Sequence, residues 1–171
     1  MKGGLWIFGL ALACMPDFTA GTLVQPDFEY HKAEGVWHRL GMVTKGEESE
    51  VMGVDIKISP LPKGNLDVQQ RTLVRDSCRS FSVRFKRMDR SGRFTVLFAT
   101  RGKSTVHVVD TDNEIYLLLH IETGKDVGLY LYARGVEASG ALKKKFKTHA
   151  KNLGFSERDI KYPDRDVKCP F

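Results

Sequence analysis

Between Val36 and Arg134 the apolar positions recur at every second residue in short runs, each cut off by turn-forming residues. Met52, Val54, Ile56 and Ile58 alternate with Gly53, Asp55 and Lys57, the period of a strand with one face buried. Pro60 and Pro62 end that run, and Lys63-Gly64-Asn65 turns the chain. Leu66, Val68 and Gln70 then alternate with Asp67 and Gln69, and Phe81, Val83 and Phe85 with Ser82, Arg84 and Lys86. After Asp89-Arg90-Ser91-Gly92 come Phe94, Val96 and Phe98; after Arg101-Gly102-Lys103 come Val106 and Val108. Ile115 to Ile121 follows the stretch Asp110 to Asn113, and Gly128 to Arg134 follows Gly124-Lys125-Asp126. With a strand near Trp37 to Val43, these predict eight strands with no helical period among them. That spacing fits an antiparallel sandwich or an up-and-down barrel.

The period changes once. Leu142, Phe146, Ala150 and Leu153 recur at intervals of three or four, which predicts a helix with one apolar face. Ser139 is its expected N-cap, and Gly154 its left-handed C-terminal stop. Lys143, Lys144, Lys145 and Lys147 lie mostly away from the apolar face and read as a solvated surface.

The opening of the chain has a different character. Met1-Lys2 is positive, and Leu5 to Ala13 is an apolar stretch too short to span a bilayer but suited to a secretory leader. Small residues fit a cleavage before Cys14 (Ala11, Ala13) or before Thr22 (Thr19, Gly21), and the later cut is preferred. The expected organisation is a leader over 1–21 and one domain over 22–171, secreted and extracellular. Of three cysteines, Cys14 then falls in the leader, and Cys78 and Cys169 are expected to pair in an oxidising compartment. A bridge closing about 91 residues contributes roughly 4–5 kcal/mol in the chain-entropy account. No Asn-X-Ser/Thr acceptor is present.

A net charge of +6 raises the question of nucleic acid, but the basic residues are spread along the chain with no accompanying recognition motif. No nucleic-acid partner and no membrane insertion are expected. The five histidines show no ligand spacing for a metal and no neighbouring nucleophile in a recognisable motif; His107, His120 and His149 fall on outward or helical positions. No metal, no cofactor and no catalytic residue are therefore expected.

Three short elements in order resemble the lipocalin family: Gly35-Val36-Trp37 at the first strand, Thr111-Asp112-Asn113 between the sixth and seventh, and Leu131-Tyr132-Ala133-Arg134 before the helix. The likeness runs over about residues 27 to 171 and is nearest to secreted epididymal and urinary members. It departs at Asn113, where Tyr is usual, and at Ala133, where Gly is usual. The resemblance implies an all-β fold: an eight-stranded antiparallel up-and-down barrel with one C-terminal helix packed outside. It implies that Gly35, Trp37, Thr111, Asp112 and Arg134 are structural, with Arg134 lying across the Trp37 ring at the closed end.

It also implies a small hydrophobic ligand, such as a retinoid, fatty acid, steroid or odorant, carried inside the barrel. The inward set would be Met52, Val54, Ile56, Val68, Phe81, Val83, Phe85, Phe94, Val96, Phe98, Val106, Leu117, Leu119, Tyr130 and Tyr132. Gln70, Tyr130 and Tyr132 are its polar members, and the excess of basic residues favours an acidic ligand. Alternation alone equally describes a filled core. The competing readings are an interaction protein acting through its outer surface, for instance on a cell-surface receptor of sperm, and an enzyme. The known enzymatic use of this family needs a free cysteine, which the expected disulfide removes.

Overall fold

The structure is a computed structural model, and it describes residues 25, 27–46, 55–99, 101–163 and 169–171. The proposed leader and the positions Met52 and Val54 lie outside the described residues. Eight strands close into a barrel in sequence order: β1 (Gly35–Lys45), β2 (Asp55–Pro60), β3 (Leu66–Val74), β4 (Ser77–Arg87), β5 (Arg93–Phe98), β6 (Gly102–Thr111), β7 (Tyr116–Thr123) and β8 (Asp126–Ala133). Every pairing is antiparallel, and β1 closes the ring against both β2 and β8.

Two bulges adjust the wall. One lies between Arg39 and Gly41 in β1, and the other between Val108 and Asp110 in β6. A bulge inserts a residue and sharpens local twist, which a small closed barrel requires. The β3–β4 hairpin was not foreseen as one continuous ribbon. Its register runs without a break from Leu66↔Phe85 to Val74↔Ser77, and Arg75 and Asp76 turn it with φ of 48° and 60°. Positive φ at both loop residues is favoured in two-residue hairpin loops because it matches the right-handed twist of the flanking strands.

Alternation along the strands sorts the apolar side chains into two buried sets. One faces the inside of the barrel. The other, including Leu40, Val43, Leu118, Leu129 and Leu131, faces outward and is covered by α1 (Gly140–Asn152) through Phe146 and Ala150. Ser139 Oγ accepts from Leu142 N at 3.2 Å, which caps the helix start. At the other end Gly154 takes φ 77°, Phe155 N donates to Ala150 O at 2.9 Å, and Gly154 N donates to Lys151 O at 3.0 Å. This paired closure satisfies the last carbonyls, while Phe155 folds back into the outer set.

Asp110 fastens the helix to β6. It accepts from Tyr116 Oη at 2.9 Å and lies 2.9 Å from His149 Nε2 and 3.2 Å from Lys145 Nζ. Burial alone would raise its pKa, but these partners more than compensate and hold it below the usual carboxylate value.

The C-terminal tail is held at two places. Lys161 exchanges both backbone hydrogen bonds with Met42, at 2.8 Å each, on the edge of β1 beyond its pairing with β2. Cys169 is disulfide-bonded to Cys78 of β4, with Cα atoms 5.6 Å apart. Arg71 secures the last residues, its guanidinium donating to Pro170 O and stacking 4.7 Å from the Phe171 ring centre.

Candidate functional site

The closed end of the barrel is built from a few residues that need one another. Trp37 points inward from β1, 1% exposed, and its indole N–H donates to Ala33 O at 2.7 Å. Ala33 belongs to a short 3-10 turn, Tyr30–Ala33, laid across the barrel mouth at this end. Arg134 follows β8 and places its guanidinium carbon 3.9 Å from the Trp37 ring centre. It donates to Val36 O at 3.1 Å, to Lys32 O at 3.0 Å and to Glu34 O. Gly35 makes room: its φ is 106°, and a Cβ there would stand 2.8 Å from Arg134 Nη1.

Asn113, one of the departures from the family pattern, has a physical role here. It adopts φ 62°, a conformation that Asn tolerates better than most residues. Its amide donates to Asp27 O and its carbonyl accepts from Glu29 N, both at 2.9 Å, tying the N-terminal segment to the β6–β7 turn. Asp112 Oδ1 accepts from the backbone N–H groups of Glu114, Ile115 and Tyr116 and shapes that turn. Burial pushes its pKa up, yet these amide bonds hold it below the ordinary value.

Above this floor the interior is almost entirely apolar. Of the inward residues expected from alternation, Ile56, Val68, Phe85, Phe94, Val96, Phe98, Val106, Leu117, Leu119, Tyr130 and Tyr132 are all buried in the inner set, and half-buried Val83 packs against it. Gln70 is buried at 2% exposure and so is not solvated at the mouth. Phe81 departs from expectation. It shares the face of Gln70, its register partner, but is 48% exposed. Among the described residues β4 pairs with β5 only at Lys86 and Arg87, so the outer part of the β3–β4 ribbon stands beyond the barrel wall with no strand beside it.

Sequence reading missed several interior members. Met42, Ile58, Leu66, Val108 and Ile121 join the inner set, and so does Phe28, which meets Phe94 edge-on at 6.0 Å. No local period marks Phe28, because it precedes the first strand. Ser104 and Thr123 form a hydroxyl pair at 2.7 Å on the inward register of β6 and β7. Gly128 provides space for Tyr130, whose ring atoms lie 2.7–3.0 Å from where a Cβ would stand.

The most consequential omission is Arg39. Its register partner on β8 is Tyr132, an inner-set residue, and Arg39 is itself only 2% exposed. A guanidinium thus lies on the inward side of β1, one layer above Trp37. The alternation was legible there, but a basic residue in an inward position had not been assigned to the interior.

The histidines also correct an expectation. His107 and His120 are on outward positions as foreseen, yet they are 8% and 5% exposed. Antiparallel register sets them directly opposite each other, with ring centres 5.9 Å apart, and Glu122 stands on the same face. One ligand atom from each of the three lies within 4.8 Å of the others, so the expectation that no ligand cluster exists does not hold. Residues thirteen apart on different strands leave no spacing motif to read.

Comparison with known proteins places this geometry. Residues 34–167 match the model of the lipocalin / cytosolic fatty-acid binding protein family. Epididymal secretory protein 4 of Zootoca vivipara is 29% identical over 172 residues, covering 97% of this chain and 95% of the relative. A prostaglandin-H2 D-isomerase of Sus scrofa is 28% identical, covering 85% and 83% of the two chains. Human lipocalin-15 is 27% identical, covering 94% and 92%.

Proposed function

On the premise that this chain belongs to the lipocalin family, whose members bind small hydrophobic ligands in a barrel, we propose that it is a secreted carrier of a small lipophilic molecule with an acidic group. One observation carries the reading: a closed barrel lined by large apolar side chains, in which Arg39 is a buried cation. Apolar burial would supply the affinity, at about 25 cal/mol per Å² before ordering costs. A few polar groups would orient the ligand, as in apolar pockets generally. Gln70, Tyr130, Tyr132 and the Ser104–Thr123 pair are the neutral ones, and Arg39 is the one suited to a carboxylate. The leader over 1–21 and the disulfide agree with export to an oxidising compartment.

A carrier is favoured over an enzyme by the cysteine inventory. Relatives named prostaglandin-H2 D-isomerase keep an isomerase within reach of the comparison. In this chain Cys78 and Cys169 are bonded to each other, and the third cysteine, Cys14, lies in the proposed leader.

The test is a titration of the mature protein with paired ligands of equal tail, retinoic acid against retinol and a fluorescent fatty acid against its alcohol. Saturable binding is expected, tighter for each acid. Arg39→Met should remove that preference while leaving the alcohols bound. Absence of saturable binding to any of the four refutes the carrier and leaves action through the outer surface. Equal binding of acid and alcohol refutes the acidic group alone.

A further inference from the structure

On the outside of the barrel, His107, His120 and Glu122 make a patch that neither the carrier reading nor the family likeness uses. Two imidazoles face each other across β6 and β7, and both are more than nine-tenths buried. Among the described residues, neither ring nitrogen of His107 has a hydrogen-bond partner, nor does Nδ1 of His120. Buried polar nitrogens are ordinarily satisfied, so two buried imidazoles with unsatisfied nitrogens, each able to offer one of them to a shared point, call for a ligand. Glu122 Oε1 lies 3.4 Å from His120 Nδ1 and remains half-exposed, which leaves an approach from solvent.

We propose that His107, His120 and Glu122 bind a divalent transition metal ion of zinc type on the outer wall of the barrel. Two imidazoles and a carboxylate are a donor set that suits zinc and its neighbours better than calcium or magnesium. Bonds of about 2.0–2.2 Å would hold the donor atoms roughly 3.3 Å apart. The present atoms lie within 4.8 Å of one another, so side-chain rotation closes the site without moving the strands. The strand pairing fixes the backbone beneath both histidines, and solvent on the Glu122 side supplies the remaining coordination position.

The nearby cation is Arg93, register partner of His107 on β5. Its Nη1 lies 3.7 Å from Asp89 Oδ1, so part of its charge is matched. His149, half-buried on α1, is engaged by Asp110 of β6 and takes no part.

The test uses untagged protein stripped with chelator and titrated with zinc chloride against a chromophoric competitor. One saturable zinc per chain is expected, and cobalt should give visible d–d absorption from a site of low coordination number. H107Q and H120Q should each weaken zinc binding about tenfold or more, and E122Q should weaken it severalfold. H149Q should leave it unchanged. Should a histidine variant fail to fold, E122Q at its half-exposed position still decides. Absence of saturable zinc binding overturns the proposal, as does zinc binding that survives H120Q and E122Q undiminished.

Discussion

The two ends of this barrel are built on opposite principles. At the closed end each group has several dependants: Trp37 is held by Ala33 and covered by Arg134, Arg134 binds three carbonyls, and Gly35 exists to admit it. At the far end the β3–β4 ribbon runs beyond its neighbour β5, and Phe81 is half-exposed there. A side chain with many mutual partners resists change, whereas one on an unflanked ribbon makes few demands on the rest. The floor is therefore where stability concentrates, and the ribbon is where the fold tolerates alteration for a ligand's sake.

Substitutions can be ordered to break that contrast. Trp37→Ala should cost the most, about 3–5 kcal/mol, because it empties the floor and strands the Arg134 guanidinium. Urea unfolding measures it, and a loss under 1 kcal/mol would mean the floor is not cooperative. The paired change C78S/C169S should come next, at about 2–5 kcal/mol, followed by the same unfolding curves under non-reducing conditions.

Asp110→Asn should cost roughly 1–3 kcal/mol by weakening the fastening of the helix to the wall. The sign of its pH dependence follows from a folded pKa held below the unfolded one. The contribution is complete above the ordinary carboxylate value and is lost as pH falls through the lower, folded value. Wild type should thus lose helix docking on acidification where the Asn variant shows a flatter profile, read by the near-ultraviolet signal of Tyr116. Phe81→Ser should change stability least, by under about 0.5 kcal/mol, while altering the rates at which a hydrophobic probe enters and leaves. Stability loss there equal to that at Trp37 would abolish the distinction between the two ends.

The strand periods, the helix with its caps and the disulfide were legible in the chain, because each rests on a local period or on a simple pairing of cysteines. The closed order of the strands came instead from the lipocalin resemblance, since alternation left a sandwich equally open. What escaped notice depends on register. Arg39 lies inside because it keeps the parity of Trp37 and pairs with Tyr132, and period counting had reserved inward positions for apolar residues. His107 and His120 become neighbours only when β6 and β7 align. Phe28 closes the floor from outside any strand. Phe81 was misjudged for the converse reason: its parity is correct, but parity does not say how far the neighbouring strand extends.

The tail has a mechanical consequence. It is fixed to β1 at Met42 and to β4 at Cys78, two strands with β2 and β3 between them in the ring. Any widening of the barrel that separates those strands works against both attachments. The two anchors therefore act on the container's girth, and cutting the Cys78–Cys169 link should let the protein take larger guests than it holds when intact.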